Sequence, residues 1–253
     1  MATTRTAKPP MDATRRAALV AGLFYIATFV FSIPALGLYD GVVNDANFVL
    51  GAGSSHGVLW GGLIEVLTGL TGIGTAVALY PVLKRYGPSR AQGFVASRTL
   101  EAAVIFAGVV SVLAVFTLRQ DFAAAAGTDT AALTTTASAL VALKNWTFLL
   151  GPGLMPVINA LCFASILYQF RLVPRIIPII GLVGAPLLLI SSTATLFGGW
   201  AQVSSTAVLF ALPIAAWELS IGIYLIVKGI RTPAIAAGSD AVATAAAAPL
   251  ATV

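Results

Sequence analysis

Four charged residues interrupt stretches that are otherwise apolar and long enough to cross a membrane: Glu65, Arg98, Glu101 and Glu218. A charged side chain at the centre of a bilayer costs at least about 2.5 kcal/mol, so each of the four needs a partner or a function. Arg98 and Glu101 are spaced i, i+3, which places them on one helix face and predicts an ion pair. Glu65 and Glu218 have no cation at a comparable spacing.

Carboxylates inside membrane helices serve in proton relays and in sites for cationic substrates. Counted from the nearest end of its apolar stretch at about 1.5 Å per residue, each of the three glutamates comes out at a near-central depth. We therefore expect Glu65, Arg98, Glu101 and Glu218 to form one buried cluster. Such a cluster either carries protons or a ligand, or it holds the helices together as a structural element.

Helix-breaking residues interrupt the fourth apolar stretch, where the segment Gly151 to Pro156 contains two glycines and two prolines. They are expected to kink or unwind the outer part of this helix and to free carbonyl groups. Asn159 follows about one turn deeper, and such polar residues beside broken helices occur at transporter binding sites, although proline kinks are also ordinary in membrane helices. Trp217, next to Glu218, is a candidate stacking surface for a ligand, and simple packing is the expected alternative.

The chain offers little for metal, redox or hydrolase chemistry. It has one cysteine, Cys162, and one histidine, His56, which excludes an intrachain disulfide and an HExxH zinc site. Ser54 and Ser55 lie beside His56, but the spacing of a G-x-S-x-G nucleophile elbow is missing. We predict no catalytic residue, no metal and no cofactor, and we lean against an enzyme.

The composition specifies the elements that must position these residues. Of 253 residues, 58% are hydrophobic and only 9% are charged, whereas about a quarter of a soluble domain is charged. The chain therefore has too little polar surface for water and reads as an all-α, polytopic transmembrane helical bundle with six spans. The apolar runs are Ala17 to Leu38, Gly57 to Leu83, Phe94 to Leu118, Leu143 to Tyr168, Val173 to Phe197 and Ala207 to Val227.

The distribution of lysine and arginine predicts the orientation, because basic loops stay on the cytoplasmic side. One side of the predicted bundle holds most of them, and the other holds only Arg119 and Lys144. Both termini are therefore expected in the cytoplasm. Three tryptophans fall at the predicted outer interface, where indole rings are favoured: Trp60, Trp146 and Trp200.

Three regions follow from this division. Residues 1–16 are expected to form a disordered cytoplasmic amino terminus, residues 17–231 the six-span domain, and residues 232–253 a disordered, Ala-rich tail. Part of the long outer connection, Thr130 to Leu143, is either a helix continuous with the fourth span or a segment lying on the membrane. The basic residues are dispersed in short loops, so the expected partner is the lipid bilayer and not nucleic acid. The sequence specifies no small-molecule ligand, protein partner or oligomeric state.

Several short motifs together resemble the domain-of-unknown-function 4386 family, which comprises bacterial multi-pass membrane proteins. The resemblance runs from about Arg15 to Arg231 and implies a bundle of six or seven spans, without implying a substrate. It is carried by Ala17 to Tyr25, Leu79 to Lys84, R-T-L-E-A from Arg98, W-T-F-L-L-G-P-G from Trp146, L-V-P-R from Leu172, G-L-V-G-A-P from Gly181, and Trp217 to Gly229.

Three classes of function remain open. A small-molecule or proton-coupled transporter would have a cavity that reaches the buried carboxylates. A non-transporting regulatory or assembly component would have a sealed polar cluster. A lipid-modifying membrane enzyme would have two carboxyl groups facing a lateral opening. The classes differ in whether a water-filled path joins the charged residues to one side of the membrane, to both sides in turn, or to the lipid.

Overall fold

The computed structural model describes residues 11–51, 54–124 and 129–231, and within these ranges all regular secondary structure is helical. Residues 1–10 of the predicted amino-terminal region 1–16 and the whole of the predicted tail 232–253 lie outside the described residues. The first helix begins at Ala13, within the predicted amino-terminal region. The helices are α1 (Ala13–Leu38), α2 (Asp40–Asn44), α3 (His56–Leu83), α4 (Pro88–Ala124), α5 (Thr130–Leu150), α6 (Met155–Gln169), α7 (Ile176–Leu196) and α8 (Ser205–Val227), with a short 3-10 helix at Phe48–Leu50.

The described residues contain six helical segments long and apolar enough to cross a membrane, with α5 and α6 together forming one of them. Their outward faces expose large apolar side chains such as Val30, Ile33, Val110 and Leu209. Contact of these apolar faces with water is unfavourable, whereas contact with lipid tails is not. The helices also satisfy their own backbone hydrogen bonds, as a membrane interior requires. The chain is therefore a multi-pass membrane protein, as its composition predicts.

The helices α1, α3, α4, α6, α7 and α8 form a closed ring, in which each packs along the next and α8 returns to α1. Glycines allow the close approaches. A Cβ atom at Gly22 of α1 would lie 2.7 Å from the Gly222 carbonyl oxygen of α8, and one at Gly184 of α7 would lie 2.9 Å from the backbone nitrogen of Ile214. In lipid, helices gain little from the hydrophobic effect when they associate. Small residues at their contacts allow the close van der Waals packing that stabilises the association instead.

Aromatic side chains from four helices of the ring, α1, α4, α6 and α8, meet in its interior. The Phe163 ring of α6 lies 4.9 Å from Phe94 of α4, 6.0 Å from Trp217 of α8 and 6.4 Å from Tyr25 of α1, measured between ring centroids. Trp217 is fully buried, and a Cβ atom at Gly181 would lie 2.6 Å from its ring. Trp217 therefore packs the ring interior, which is the alternative that we expected over a ligand-stacking role.

Neighbouring helices of the ring run antiparallel, so their ends collect on two faces. On the basic face, α1 begins and α8 ends, and most of the lysines and arginines lie there: Arg15, Arg16, Lys84, Arg85, Arg90, Arg171, Arg175, Lys228 and Arg231. On the opposite face, which we call the cavity face, α1 ends and α8 begins. The assignment of the basic face to the cytoplasm stays a prediction.

A layer of structure extends the bundle on the cavity face. The helix α4 has 37 residues and is about 55 Å long, against a hydrocarbon core of about 30 Å. The end of α4 on the cavity face forms an apolar cluster through Val112 and Val115. The other members of the cluster include Phe48 and Val49 of the 3-10 helix and Leu133 of α5. Of the two alternatives left open for Thr130 to Leu143, the structure shows the helix continuous with the fourth span, because α5 runs without interruption to Leu150.

The fourth span is broken where the glycines and prolines predict. Residues 151–154 form turns between α5 and α6, and Pro156 lies in the first turn of α6, where a missing backbone N–H has no cost. The Ser192 hydroxyl of α7 donates a hydrogen bond of 2.7 Å to the Gly153 carbonyl oxygen. After the break the two halves have different neighbours: α5 packs against α4 and the 3-10 helix, whereas α6 packs against α4 and α7.

Candidate functional site

The first charged centre lies inside the ring and joins three helices. The Arg98 guanidinium of α4 donates through Nη1 to the Glu101 carboxylate at 3.0 Å and through Nη2 to Glu218 of α8. Asn159 of α6 donates through Nδ2 to the same Glu101 oxygen at 2.8 Å. We call Arg98, Glu101, Asn159 and Glu218 the Arg98 network. It confirms the predicted pair between Arg98 and Glu101, and it supplies the cation that the sequence did not reveal for Glu218.

Aromatic rings enclose the guanidinium of the Arg98 network. The Arg98 Cζ atom lies 5.4 Å from the centroid of the Tyr25 ring and 5.9 Å from that of Phe94, within the range of a cation–π contact. Arg98 is only 4% exposed. The charged groups of the network therefore pair with one another inside the bundle, while the Arg98 Nε and Asn159 Oδ1 atoms have no hydrogen-bond partner among the described residues.

The second charged centre is an ion pair between α3 and α5, and Lys144 is the residue that the sequence analysis missed. The Lys144 ammonium lies 2.6 Å from both carboxylate oxygens of Glu65. We call these two residues the Lys144 pair. We had placed Lys144 among the outer-loop charges, whereas α5 carries it into the bundle, where it is 6% exposed. The uninterrupted helical character of Thr130 to Leu150 is the signal that would have placed it there.

Glu65 does not join the Arg98 network, so the expectation of one cluster is wrong. A Cβ atom at Gly72 of α3 would lie 3.9 Å from Cδ of Arg98. Glu65 lies two turns nearer the cavity face on the same helix, which is about 10 Å along its axis. Glu65 faces the protein interior, on the side of α5, where it pairs with Lys144.

A glycine of α4 makes room for the lysine. A Cβ atom at Gly108 would lie 2.5 Å from the Thr147 hydroxyl oxygen and 3.3 Å from Cδ of Lys144. A side chain at this position would require the side chains of Thr147 and Lys144 to shift. The position of the Lys144 ammonium therefore depends on the absence of a side chain at Gly108.

Tyr39, at the end of α1, covers the Lys144 pair. The Lys144 ammonium lies 4.8 Å from the centroid of the Tyr39 ring, and the tyrosine is 3% exposed. Burial, and then the charge of the nearby Glu65 carboxylate, raise the pKa of the Tyr39 phenol above its ordinary value. The phenol therefore stays protonated and is a hydrogen-bond donor, yet its oxygen has no hydrogen-bond partner among the described residues.

The Lys144 pair and Tyr39 line a cavity of about 460 Å³ at the cavity face, a volume within the ~300–1,000 Å³ range of ligand pockets. Its walls come from the end of α1, from α2, α3 and α5, and from the connection between α7 and α8. Arg98, Glu101 and Glu218 are not among its lining residues. Apart from the pair and Tyr39, the lining comprises Leu36, Asp40, Val43, Asn44, Asn145, Phe148, Ala201, Gln202 and Val203.

Residues 20–229 match the family described as Domain of unknown function (DUF4386). No curated protein and no solved structure matches the chain. The comparisons therefore agree with the family resemblance carried by the sequence motifs, and any functional argument depends on the geometry of the two charged centres.

Proposed function

The chain belongs to the DUF4386 family, and from this premise we propose that it is a small-molecule transporter whose substrate site is the cavity lined by the Lys144 pair. The observation that carries the proposal is the position of this ion pair, in the wall of a cavity that opens on one face of a ring of membrane helices. A buried ion pair is weak evidence for stability, because apolar replacements of similar volume are often neutral or stabilising. Its place beside a cavity favours a ligand-binding role.

The Arg98 network supplies the second element that a transporter needs. It links α4, α6 and α8 across the ring interior, on the basic-face side of the Lys144 pair. A substrate that moves from the cavity to the basic face must pass the level at which this network closes the ring. Two carboxylates that share one guanidinium also offer a place for a coupling proton, since membrane carboxylates commonly act in proton relays.

The distribution of basic residues supports an orientation for this transporter. The positive-inside rule assigns the basic face to the cytoplasm and the cavity face to the outside, in the cell membrane of a bacterium. Both chain termini then lie in the cytoplasm. In this orientation the cavity receives its ligand from outside the cell.

A second candidate is a non-transporting regulatory or assembly component of the membrane. It is favoured by the internal pairing of the Arg98 network, whose charged side chains lie apart from the cavity. In that case the network locks the ring, and the cavity on one face senses a ligand without passing it on.

The test is uptake and internal pH in sealed vesicles that hold the purified full-length chain, with a panel of labelled amino acids, amines, sugars and organic acids. Glu65→Gln is the test variant, and Asp121→Asn is its control, because Asp121 is an exposed carboxylate that does not line the cavity. Accumulation of a compound by wild type and Asp121→Asn, with loss in Glu65→Gln, supports the transporter. Binding without accumulation favours the second candidate. If no compound of the panel binds and none accumulates, both candidate functions are contradicted.

A further inference from the structure

The wall of the cavity presents one fixed cation and one fixed anion in contact with each other. The Lys144 ammonium lies 2.6 Å from each Glu65 oxygen, and both residues are more than nine-tenths buried. A ligand with a single charge that binds to one partner leaves the other partner buried without compensation, which is strongly unfavourable. A ligand that carries both charges inserts beside the pair and compensates both partners at once.

Tyr39 adds a donor and an aromatic face to the same wall. The Tyr39 side chain lines the cavity. Its hydroxyl is buried close to Glu65 and makes no full hydrogen bond among the described residues. A carboxylate is the acceptor that best satisfies a buried hydroxyl donor beside an ammonium. Lys144 and the Tyr39 hydroxyl together therefore form the anion-binding half of the site.

The carboxylates form the other half. Asp40 lies at the exposed mouth of the cavity, where it accepts a hydrogen bond of 2.8 Å from Asn44. With Glu65 it gives the lining two carboxylates against one ammonium, so the wall has an excess of negative charge that attracts a cationic group. The remaining polar lining residues, Asn145 and Gln202, are neutral amides that do not change this balance.

We propose that the cavity recognises a small zwitterion, with an ammonium group that contacts Glu65 and Asp40 and a carboxylate group that contacts Lys144 and the Tyr39 hydroxyl. Amino acids and betaines are the ligands of this chemistry. Leu36, Phe148 and Val203 supply the apolar part of the wall for the carbon chain between or beside the charges. The inference rests on the proposed function, since it names the substrate class of the same cavity.

The experiment measures equilibrium binding to the purified full-length chain in detergent, using matched triads of probes. The first triad is glycine betaine, choline and 3,3-dimethylbutyrate, which keep one shape and carry both charges, only the cation or only the anion. The second triad is leucine, isopentylamine and 4-methylpentanoate. We expect one zwitterion to bind at least tenfold more tightly than both of its single-charge analogues. Equal binding of a zwitterion and one of its analogues would overturn the inference.

Two variants test the assignment to the Lys144 pair. Lys144→Met is expected to reduce zwitterion binding at least tenfold. The double variant Glu65→Gln with Lys144→Met removes both charges of the pair, so no unpaired buried ion destabilises its fold. The double variant keeps Asp40, so it is expected to lose the preference for the zwitterion over its cationic analogue. Unchanged preference for the zwitterion in the double variant would contradict the inference.

The outcomes separate this inference from the proposed function. Suppose that the compound that accumulates in vesicles in a Glu65-dependent way is a simple cation, a simple anion or a neutral molecule. This result supports the transporter and rejects a zwitterion as its substrate. Zwitterion binding without accumulation supports the ligand class and rejects transport.

Discussion

The Arg98 network and the Lys144 pair are both charged clusters inside the same ring of helices, yet only the Lys144 pair lines the cavity. Arg98 serves two carboxylates, Asn159 donates a hydrogen bond to one of them, and no charged residue of the network lines the cavity. Lys144 serves one carboxylate, and the pair faces that cavity. Equal burial therefore does not mean an equal role: the first centre joins helices, and the second is placed to meet a ligand.

The choice of cation in each centre agrees with this difference. Arginine has a planar guanidinium with several donors in fixed directions, which suits it to hold two carboxylates in one geometry. Lysine has a compact charge on a flexible stem, and its three donors rotate freely. A lysine can therefore exchange part of its contact with Glu65 for contact with a ligand, whereas exchange at Arg98 would disrupt three helices together.

The largest effect that would test this comparison is expected for Arg98→Ala. The substitution leaves Glu101 and Glu218 buried without their cation, at a cost of about 3–5 kcal/mol. We expect a severe loss of yield and a lower unfolding temperature in detergent, with the exposed Arg171→Ala as a control that stays close to wild type. Wild-type stability of Arg98→Ala would mean that the network does not hold the helices together.

A smaller loss of stability is expected for Lys144→Met, because the neighbouring cavity allows water to reach the Glu65 carboxylate that is left behind. The expected cost is about 1–3 kcal/mol. Adding Glu65→Gln is expected to restore part of this loss, and a double-mutant cycle of unfolding free energies measures the coupling. If Lys144→Met destabilises the chain more than Arg98→Ala does, the assignment of the two roles is reversed.

A glycine lies beside each charged centre, Gly108 near the Lys144 pair and Gly72 near Arg98, and replacing each with alanine tests how closely the helices pack there. Gly108→Ala places a methyl group 2.5 Å from the Thr147 oxygen, and overpacking of this kind costs about 1–3 kcal/mol. Gly72→Ala places one 3.9 Å from Arg98, which is ordinary contact, so its stability is expected to stay near wild type. Thermal unfolding and ligand binding are measured on both variants. Similar losses in both would mean that helix spacing near the Lys144 pair is not special.

A smaller loss than that of Arg98→Ala is expected for Asn159→Ala within the Arg98 network. Glu101 keeps its ion pair with Arg98 and loses only the hydrogen bond from the Asn159 amide, which is worth about 1.5–3 kcal/mol at most for a charged acceptor. The unfolding temperature should therefore lie between those of wild type and Arg98→Ala. A loss as large as that of Arg98→Ala would show that Asn159, and not the arginine, holds the network in place.

Local features of the sequence determined much of the architecture. Apolar runs of membrane-spanning length identify the six candidate spans, because lipid requires each segment to satisfy its own backbone. The i, i+3 spacing determines the pairing of Arg98 with Glu101, since both lie on one helix. The break after Leu150 follows from glycine and proline, whose backbone preferences act within a few residues.

Only the tertiary structure decided which charged residues become partners. Glu218 and Arg98 are 120 positions apart in the chain, and Lys144 and Glu65 are 79 positions apart. Depth along a helix can be counted from the sequence, but the order of helices around the ring and the length of α5 inside the bundle cannot. The helix order and the length of α5 inside the bundle depend on the packing of many side chains at once. Because of them, the charged residues form a network within the ring and a separate pair at the wall of a cavity, instead of the one cluster that we expected.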